Sequence, residues 1–416
     1  MAAPLEGVRI LDMSHVIAGP LASLYLAQFG AEVIKIESPE AGDVLRAMKP
    51  GSNKGYVPSD FTVLNAGKKS LAVDIRTEQG AELLKSLAAE TDVVIENFRP
   101  GVVKRRGLDY ESIRKINPQV VYCSISGYGQ KGEWSQRGAY DHVIQALTGM
   151  MMMSGDAGTD GPVKVGFPVV DVAVGMLGAL AITTALHQRA RDGKGQYIDA
   201  SMVQASLMLM YTNASAFLTQ RVEPERIGNR GQSRSPTADT YRCRDGWLAL
   251  AANTPTQFRK LTGLLGLDEL CEDASAIDLD AFNAPGGGFV VARNLEYLRT
   301  RFHEAFAGRS AAEMEVELNA RGIPAARVRR LGEFLDEVED GSRLSFRAAS
   351  YPHEGSVART PGLGFLFETP PDLPNSGAPQ IGQDTLALLR GIGISDAQIQ
   401  ALEKAGVVKT MLQGDR

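Results

Sequence analysis

The chain has 416 residues, a formal net charge of -5, and 44% hydrophobic and 22% charged residues. That is the balance of a globular protein with length for two to three domains of about 100–200 residues each. There is no polybasic block, so a nucleic-acid partner is not expected. The dispersed cysteines (Cys123, Cys243, Cys271) and histidines (His15, His142, His187, His303, His353) offer neither a disulfide framework nor metal-ligand spacing, so no metal is expected.

The first 12 residues lack a charged segment followed by an apolar run, so no signal peptide is read and a cytoplasmic protein is expected. Residues 8–12 form a short apolar run that predicts a buried strand. Gly19-Pro20 opens a helical pattern that Gly30 closes, and residues 32–37 predict a second strand. Such a βαβ unit implies a parallel sheet with a right-handed crossover. The pattern recurs, with strands predicted at 70–74, 92–96 and 120–125 and helices at 77–89 and 110–116. This alternation predicts a doubly wound α/β domain, whose ligands sit beyond the carboxyl ends of the strands. Those ends are residues 14–20, 37–39, 74–76, 97–101 and 126–129. The first βα turn, Met13-Ser14-His15-Val16-Ile17-Ala18-Gly19-Pro20, lacks a GxGxxG fingerprint, so a dinucleotide cofactor is not expected.

Apolar helical stretches cover 141–153 and 171–187, split by the turn-rich residues 154–161, and a further helix is predicted at 200–218. The run from Asp171 to His187 falls short of the about 20 residues a membrane span needs, and reads as a buried core helix; no membrane partner is expected. Residues 221–236 are polar and rich in Gly, Asn and Arg. Strands at 240–243 and 247–251 flank an Asp245-Gly246 hairpin turn, and helices follow at 256–266, 295–308 and 310–321, with 276–288 as a surface loop. The predicted organisation is a parallel-sheet large domain begun by residues 1–220, a smaller α+β domain at 226–328, and a return segment at 329–416 with helices at 384–391 and 395–405.

Asp171 is the one charge in the apolar run 166–180. An ionised carboxylate there is costly unless it is capped, paired or used. One reading is an N-cap after Pro168; the other is a carboxylate nucleophile at a helix start in a dry site. Glu96-Asn97-Phe98-Arg99-Pro100-Gly101 ends a strand and offers an amide and a ring, or simply a cap and a turn. Lys104-Arg105-Arg106 is either a solvated face or a phosphate-binding cluster, to which Lys68-Lys69 and Arg76 would add. Gly228-Asn229-Arg230-Gly231-Gln232 reads as a loop that approaches a ligand or moves, or as a linker. Asp141 reads as the cap of its own helix, with Tyr140 beside it.

Together these residues resemble the class III CoA-transferase family, also called CaiB/BaiF, which includes formyl-CoA:oxalate and carnitine CoA-transferases. The resemblance runs from Pro4-Leu5-Glu6-Gly7-Val8-Arg9-Ile10-Leu11-Asp12 and Phe29-Gly30-Ala31-Glu32-Val33-Ile34-Lys35-Ile36-Glu37 through Leu64-Asn65 with Lys68-Lys69-Ser70. It continues through Val94-Ile95-Glu96-Asn97-Phe98-Arg99-Pro100-Gly101, Tyr140-Asp141, Asp171, Gly193-Lys194-Gly195-Gln196, Gly228-Asn229-Arg230 and Gly382-Gln383-Asp384-Thr385. It implies that Asp171 is the catalytic nucleophile. It implies that Val16, Ile17, Asn97, Phe98, Arg105 and Tyr140 contact coenzyme A, and that Gly228, Asn229, Arg230 and Gly231 form a glycine loop over the site. It also implies an interlocked homodimer, each subunit a ring threaded by the other.

The implied reaction transfers CoA from an acyl-CoA thioester, with succinyl-CoA as a candidate donor, to a small free carboxylic acid. It proceeds through an aspartyl mixed anhydride and an aspartyl-CoA thioester, without a resident cofactor. Water must be kept out, and backbone N–H groups of the glycine loop or the helix start would stabilise the oxyanion. The formyl-CoA branch carries Gln where this chain has Ile17, and Tyr where it has Asp60, so formyl-CoA and oxalate are not the expected substrates. Arg230 and Arg234 are candidates for holding a second carboxylate. Two alternatives stand beside this reading. An α-methylacyl-CoA racemase uses a Gly-His-Asp base where this chain has Ala139-Tyr140-Asp141, and Tyr, with a pKa near 10, is a poor base. The other is a CoA-binding protein without turnover.

Overall fold

The structure is a computed structural model that describes residues 3–47, 60–345, 348–353, 356–368 and 376–411. The chain forms two compact units: Met1–Met151 with Lys164–Glu223 and Arg347–Arg416, and Met152–Val163 with Pro224–Phe346. In chain order its described strands are β1 (Arg9–Asp12), β2 (Glu32–Glu37), β3 (Lys69–Val73), β4 (Val93–Glu96), β5 (Val121–Ser126), β6 (Gln196–Ser201), β7 (Asp239–Cys243), β8 (Gly246–Leu250), β9 (Ala325–Arg327), β10 (Ala349–His353), β11 (Ser356–Thr360) and β12 (Val408–Lys409).

The larger unit carries a seven-stranded sheet in the order β12-β3-β2-β1-β4-β5-β6. All neighbours pair in parallel except β12, which runs antiparallel to β3. The predicted α/β sheet is therefore mixed at one edge. Both faces are covered, which is why its central strands read as continuous apolar runs. Ile10, Val33 and Ile95 point into one core with α1 (Ala18–Gln28) and the long helix that begins at Val169. Leu11, Ile34, Leu71 and Val94 point into the other with α2 (Glu78–Ala88) and Leu388–Leu389 of the returning chain. That return is anchored at the β3 edge. Asp384 accepts the Ser70 N–H at 2.8 Å, and Thr385 Oγ1 accepts the Ala72 N–H at 3.0 Å. The order reverses where β1 pairs with both β2 and β4, and an open α/β sheet leaves a crevice at such a reversal.

The apolar region expected at 141–153 is broken by Gly149 at φ +81°, leaving α3 (Asp141–Leu147) and a short turn of helix at Met150–Met153. The helix expected to end near His187 is α4 (Val169–Asp192), 24 residues long. By length and composition it could cross a membrane; here Ala173, Val174, Ala179 and Ile182 pack one face into the core with α1. Gly175 permits that packing, because a Cβ there would meet the Ala18 carbonyl at 2.8 Å. Strand β6 (Gln196–Ser201) is an element the sequence pattern does not predict, and its last two residues fall in the helix expected at 200–218. It lies at the sheet edge and mixes polar with apolar residues, only Ser201 being buried, so no apolar run marks it.

The smaller unit has an antiparallel sheet in the order β7-β8-β9. The hairpin pairs Cys243 with Gly246, so its turn is Arg244-Asp245 and not Asp245-Gly246. Asp245 instead accepts hydrogen bonds from Ser310 Oγ and the Ala311 N–H at 2.7 and 2.6 Å, helping to cap helix Ala311–Ala320. Tyr241, Phe258, Phe302 and Phe306 fill this core. The region 276–288 is not all loop: it contains helix Leu279–Asn283, capped by Asp278.

Candidate active site

At the sheet reversal the loops after β1 and β4 hold each other. His15, after β1, donates its N–H to Asn97 Oδ1 at 2.9 Å, and Asn97, after β4, returns Nδ2 to the His15 carbonyl at 2.7 Å. The His15 and Phe98 rings lie 5.3 Å apart. Ile17 is the N-cap residue of α1, with no side-chain cap, and Val16 has φ +67°. Val16, Ile17, Asn97 and Phe98 thus share one corner.

Beneath the first turn lies a buried ionic network. Lys68 Nζ sits 3.2 Å from Asp12 Oδ2, 2.7 Å from Ser23 Oγ, 2.9 Å from Asn65 Oδ1 and 2.9 Å from the Pro20 carbonyl. Burial would push the Asp12 carboxyl up, but Lys68 and Lys35 outweigh it and hold Asp12 below the usual carboxylate range. Burial pushes the Lys68 ammonium down, only partly offset by Asp12. Lys68 is therefore not a phosphate ligand. Lys69 begins β3, at the amino end of the strand and so away from the carboxyl ends, and pairs with Glu32. Arg76 forms a fork on Asp74 through Nε and Nη2, both at 2.9 Å. These three expected phosphate contacts are spoken for. Lys104, Arg105 and Arg106 are exposed on a 3-10 turn after the β4 loop and make no salt bridge among the described residues.

Asp171 does not cap its helix. α4 starts two residues earlier, and its first turn is capped by a side chain from another helix. Asp141 Oδ2 accepts the N–H of Val170 at 2.7 Å and of Asp171 at 3.1 Å. Asp141 was expected to cap α3; it serves α4 instead. The other Asp141 oxygen accepts from Gln145 Nε2, and fully buried Gln145 accepts the Val165 N–H at 2.9 Å. Gln145 is four residues after Asp141, a spacing at which Asp–Gln pairs meet on a helix; that signal was present in the sequence and went unread. The Val169 and Val172 N–H groups bond to the Phe167 and Pro168 carbonyls at 2.8 and 3.1 Å. The amides at the start of α4 are thus engaged, and the expectation that they serve an oxyanion is not met.

The Asp171 side chain is freed from capping and half-buried. Burial, then the neighbouring Asp141 charge, raise its carboxyl from 3.8 to about 6. Asp171 and Gly175 are four residues apart and share a helix face, so the carboxylate stands about one helical turn, about 5.4 Å of rise, from the point where α4 meets Ala18. Tyr140, which precedes α3, is exposed at 72%, its ring stacked on His142 at 6.3 Å. Glu96, buried under the Asn97–Phe98 corner, accepts the Phe98 N–H at 2.8 Å, and burial pushes it up to about 7.

The Gly228–Gly231 segment lies in the smaller unit. Gly228 has φ +64°, and a Cβ on it would meet the Ala157 nitrogen at 3.3 Å; a Cβ on Gly231 would meet Ala238 at 2.8 Å. Arg230 Nε donates to the Ile227 carbonyl at 3.1 Å, and the loop borders a cavity of about 410 Å³ lined also by Trp247, Arg299 and His303. Arg234 is exposed at φ +55°.

An α/β fold with a half-buried carboxylate in the first turn of a helix packed on α1 gives the class, and sequence comparison gives the family. Residues 5–385 match the family described as CoA-transferase family III. The chain belongs to that family and is a class III CoA-transferase. It is 32% identical over 410 residues to succinyl-CoA:glutarate CoA-transferase of Mus musculus, covering 98% of this chain and 90% of that protein. It is 30% identical over 411 residues to succinyl-CoA–D-citramalate CoA-transferase of Chloroflexus aurantiacus, covering 97% and 98%. A CaiB/BaiF family protein of Brucella suis superposes with a TM-score of 0.78 at 31% identity, covering 94% of this chain and all of that one.

Proposed function

We propose that this enzyme moves CoA from succinyl-CoA to a small dicarboxylic acid, with Asp171 as the nucleophile. The observation that carries the reading is the uncapped, half-buried Asp171 carboxylate, held at a helix start whose amides are occupied by Asp141. The donor and the acceptor class are taken from the relatives named for succinyl-CoA with glutarate and citramalate.

An Asp171 oxygen attacks the thioester carbon, the C–S bond breaks, and CoA thiolate leaves a mixed anhydride. The thiolate attacks the aspartyl carbon, the donor acid leaves as a carboxylate, and an aspartyl-CoA thioester remains. The acceptor carboxylate attacks that thioester and expels thiolate. Thiolate then attacks the acceptor's acyl carbon, giving the new thioester and restoring Asp171. No net proton is taken up. Raised to about 6, Asp171 is ionised at neutral pH yet more basic than an ordinary aspartate. Val16, Ile17, Asn97, Phe98 and Tyr140 would border the CoA thioester, and Arg105 would meet its phosphates. The Gly228–Gly231 loop would supply N–H donors to the oxyanion, and Arg230 or Arg234 would take the acceptor's second carboxylate. Exposed Met176, Leu180 and Met208 along α4 and the helix after β6 leave an apolar face that fits a second copy of the chain.

The test is to incubate the protein with succinyl-CoA and a panel of mono- and dicarboxylic acids, quench with hydroxylamine, and map the modified residue. New acyl-CoA together with a hydroxamate at Asp171 is the expected result. Loss of α-deuterium from a 2-methylacyl-CoA without any acceptor acid would replace this reading with racemisation.

A further inference from the structure

Val16 is β-branched, yet it sits at φ +67°. A β-branched side chain is strained there, and such a residue persists only where its surroundings over-determine it. Three separate parts of the chain do so. Asn97 grips the His15 peptide groups from the loop after β4, at 2.9 and 2.7 Å. Lys35 Nζ, from β2, donates to the Ser14 carbonyl at 2.6 Å. Asp43, from the loop after β2, takes the Val16 N–H itself, with its two oxygens at 3.4 and 3.2 Å. Asp43 also pairs with Lys35 at 3.0 Å, and both side chains are buried. A buried ion pair is costly to assemble and is weak evidence for stability alone. Here it is spent on a peptide group that a glycine at this position would hold without strain.

We infer that Asp43 is a positioning residue for the CoA thioester, acting through the Val16 N–H to keep the His15–Ile17 turn in its left-handed form at the sheet reversal. The inference rests on the proposed reading in which that turn borders the acyl-CoA. Neither Asp43 nor Lys35 touches the substrate in it. Their effect passes through one backbone hydrogen bond and one strained residue.

A double-mutant cycle tests this. Asp43→Ala is made alone and with Val16→Gly, and KM for succinyl-CoA and the dissociation constant of free CoA are measured against the parent enzyme and Val16→Gly alone. Asp43→Ala is expected to raise both about tenfold in the parent background, leaving kcat within about threefold, and to raise them less than about threefold in the Val16→Gly background. A purely structural role gives the same ratio in both backgrounds and overturns the proposal. Because Asp43→Ala leaves the Lys35 ammonium buried alone, the cycle is repeated with Lys35→Met/Asp43→Ala, which removes both charges. Failure of the underlying reading shows differently: the parent enzyme then forms no new acyl-CoA and binds no free CoA, and both proposals fall. A transferring enzyme in which positions 43 and 16 act independently removes the role of Asp43 alone.

Discussion

Asp141 and Asp171 are joined through a backbone amide and not through their carboxylates: Asp141 Oδ2 accepts the Asp171 N–H at 3.1 Å. The same oxygen takes the Val170 N–H. One carboxylate caps the helix, which leaves the other free, and the cap's charge lifts the free one's pKa after burial has done most of that. An ordinary N-cap aspartate would be held as an unreactive acceptor of those same N–H groups.

The nucleophile must be ionised, so kcat/KM should fall as pH drops through about 6. Asp141→Asn keeps a side-chain oxygen for the two N–H groups but removes the charge. Its acid limb should move to lower pH. A pH–rate profile of the two enzymes checks this; an unmoved limb would mean that Asp141 does not act on Asp171 electrostatically.

Asp171→Ala should lower transfer by about a thousandfold or more, the scale seen when a covalent nucleophile is lost. Asp171→Asn should also be inactive, but more stable than the parent enzyme at pH 8. The folded state raises the Asp171 pKa, so the proton's contribution to stability is full below 3.8 and is lost as pH rises through about 6. An amide escapes that loss. Thermal melts at pH 4 and pH 8 should therefore show the gain only at the higher value.

The two kinds of cation should separate cleanly. Lys68→Met leaves Asp12 buried without its partner, a cost of about 3–5 kcal/mol that urea denaturation would register. Arg105→Ala removes an exposed cation with no salt bridge among the described residues, so stability should change by less than about 0.5 kcal/mol. Its KM for acyl-CoA should rise about threefold to tenfold at low salt, with little change for the acceptor acid.

Glu96 links the Asn97–Phe98 corner to pH. Its carboxyl is raised from 4.5 to about 7 by burial. Stability from this group is full below 4.5 and falls as pH rises through about 7. The loss is on the order of 3 kcal/mol, given about 1.4 kcal/mol per pKa unit. Glu96→Gln should flatten that decline. If melts of the variant and parent enzyme at pH 5 and pH 8 shift in parallel, Glu96 is not the group responsible.

Much of the fold was legible in sequence because its signals are local. Buried strands covered on both faces read as unbroken apolar runs, as at Val93-Val94-Ile95 of β4, and capped helices announce themselves, as Thr77 does for α2 by accepting the Gly80 N–H. Where the signal is weak the element was missed: β6 is an edge strand with polar residues, and β12 has two residues. Asp171 stood out for a local reason too, as the single charge in an apolar stretch.

The amino-acid sequence by itself determined the alternation of strands and helices, the parallel sheet and the chemical identity of a carboxylate in apolar surroundings, since these follow from periodicity and composition over a few residues. Only the tertiary structure decided which carboxylate caps and which is free. The Asp141 bond to Asp171 spans 30 residues, and the Asp43 bond to Val16 spans 27. It alone decided that Lys68 is buried on Asp12 while Arg105 is exposed, and that Val16 takes a backbone conformation its residue type disfavours. Those outcomes are through-space balances of burial against pairing, and no local pattern encodes the partner.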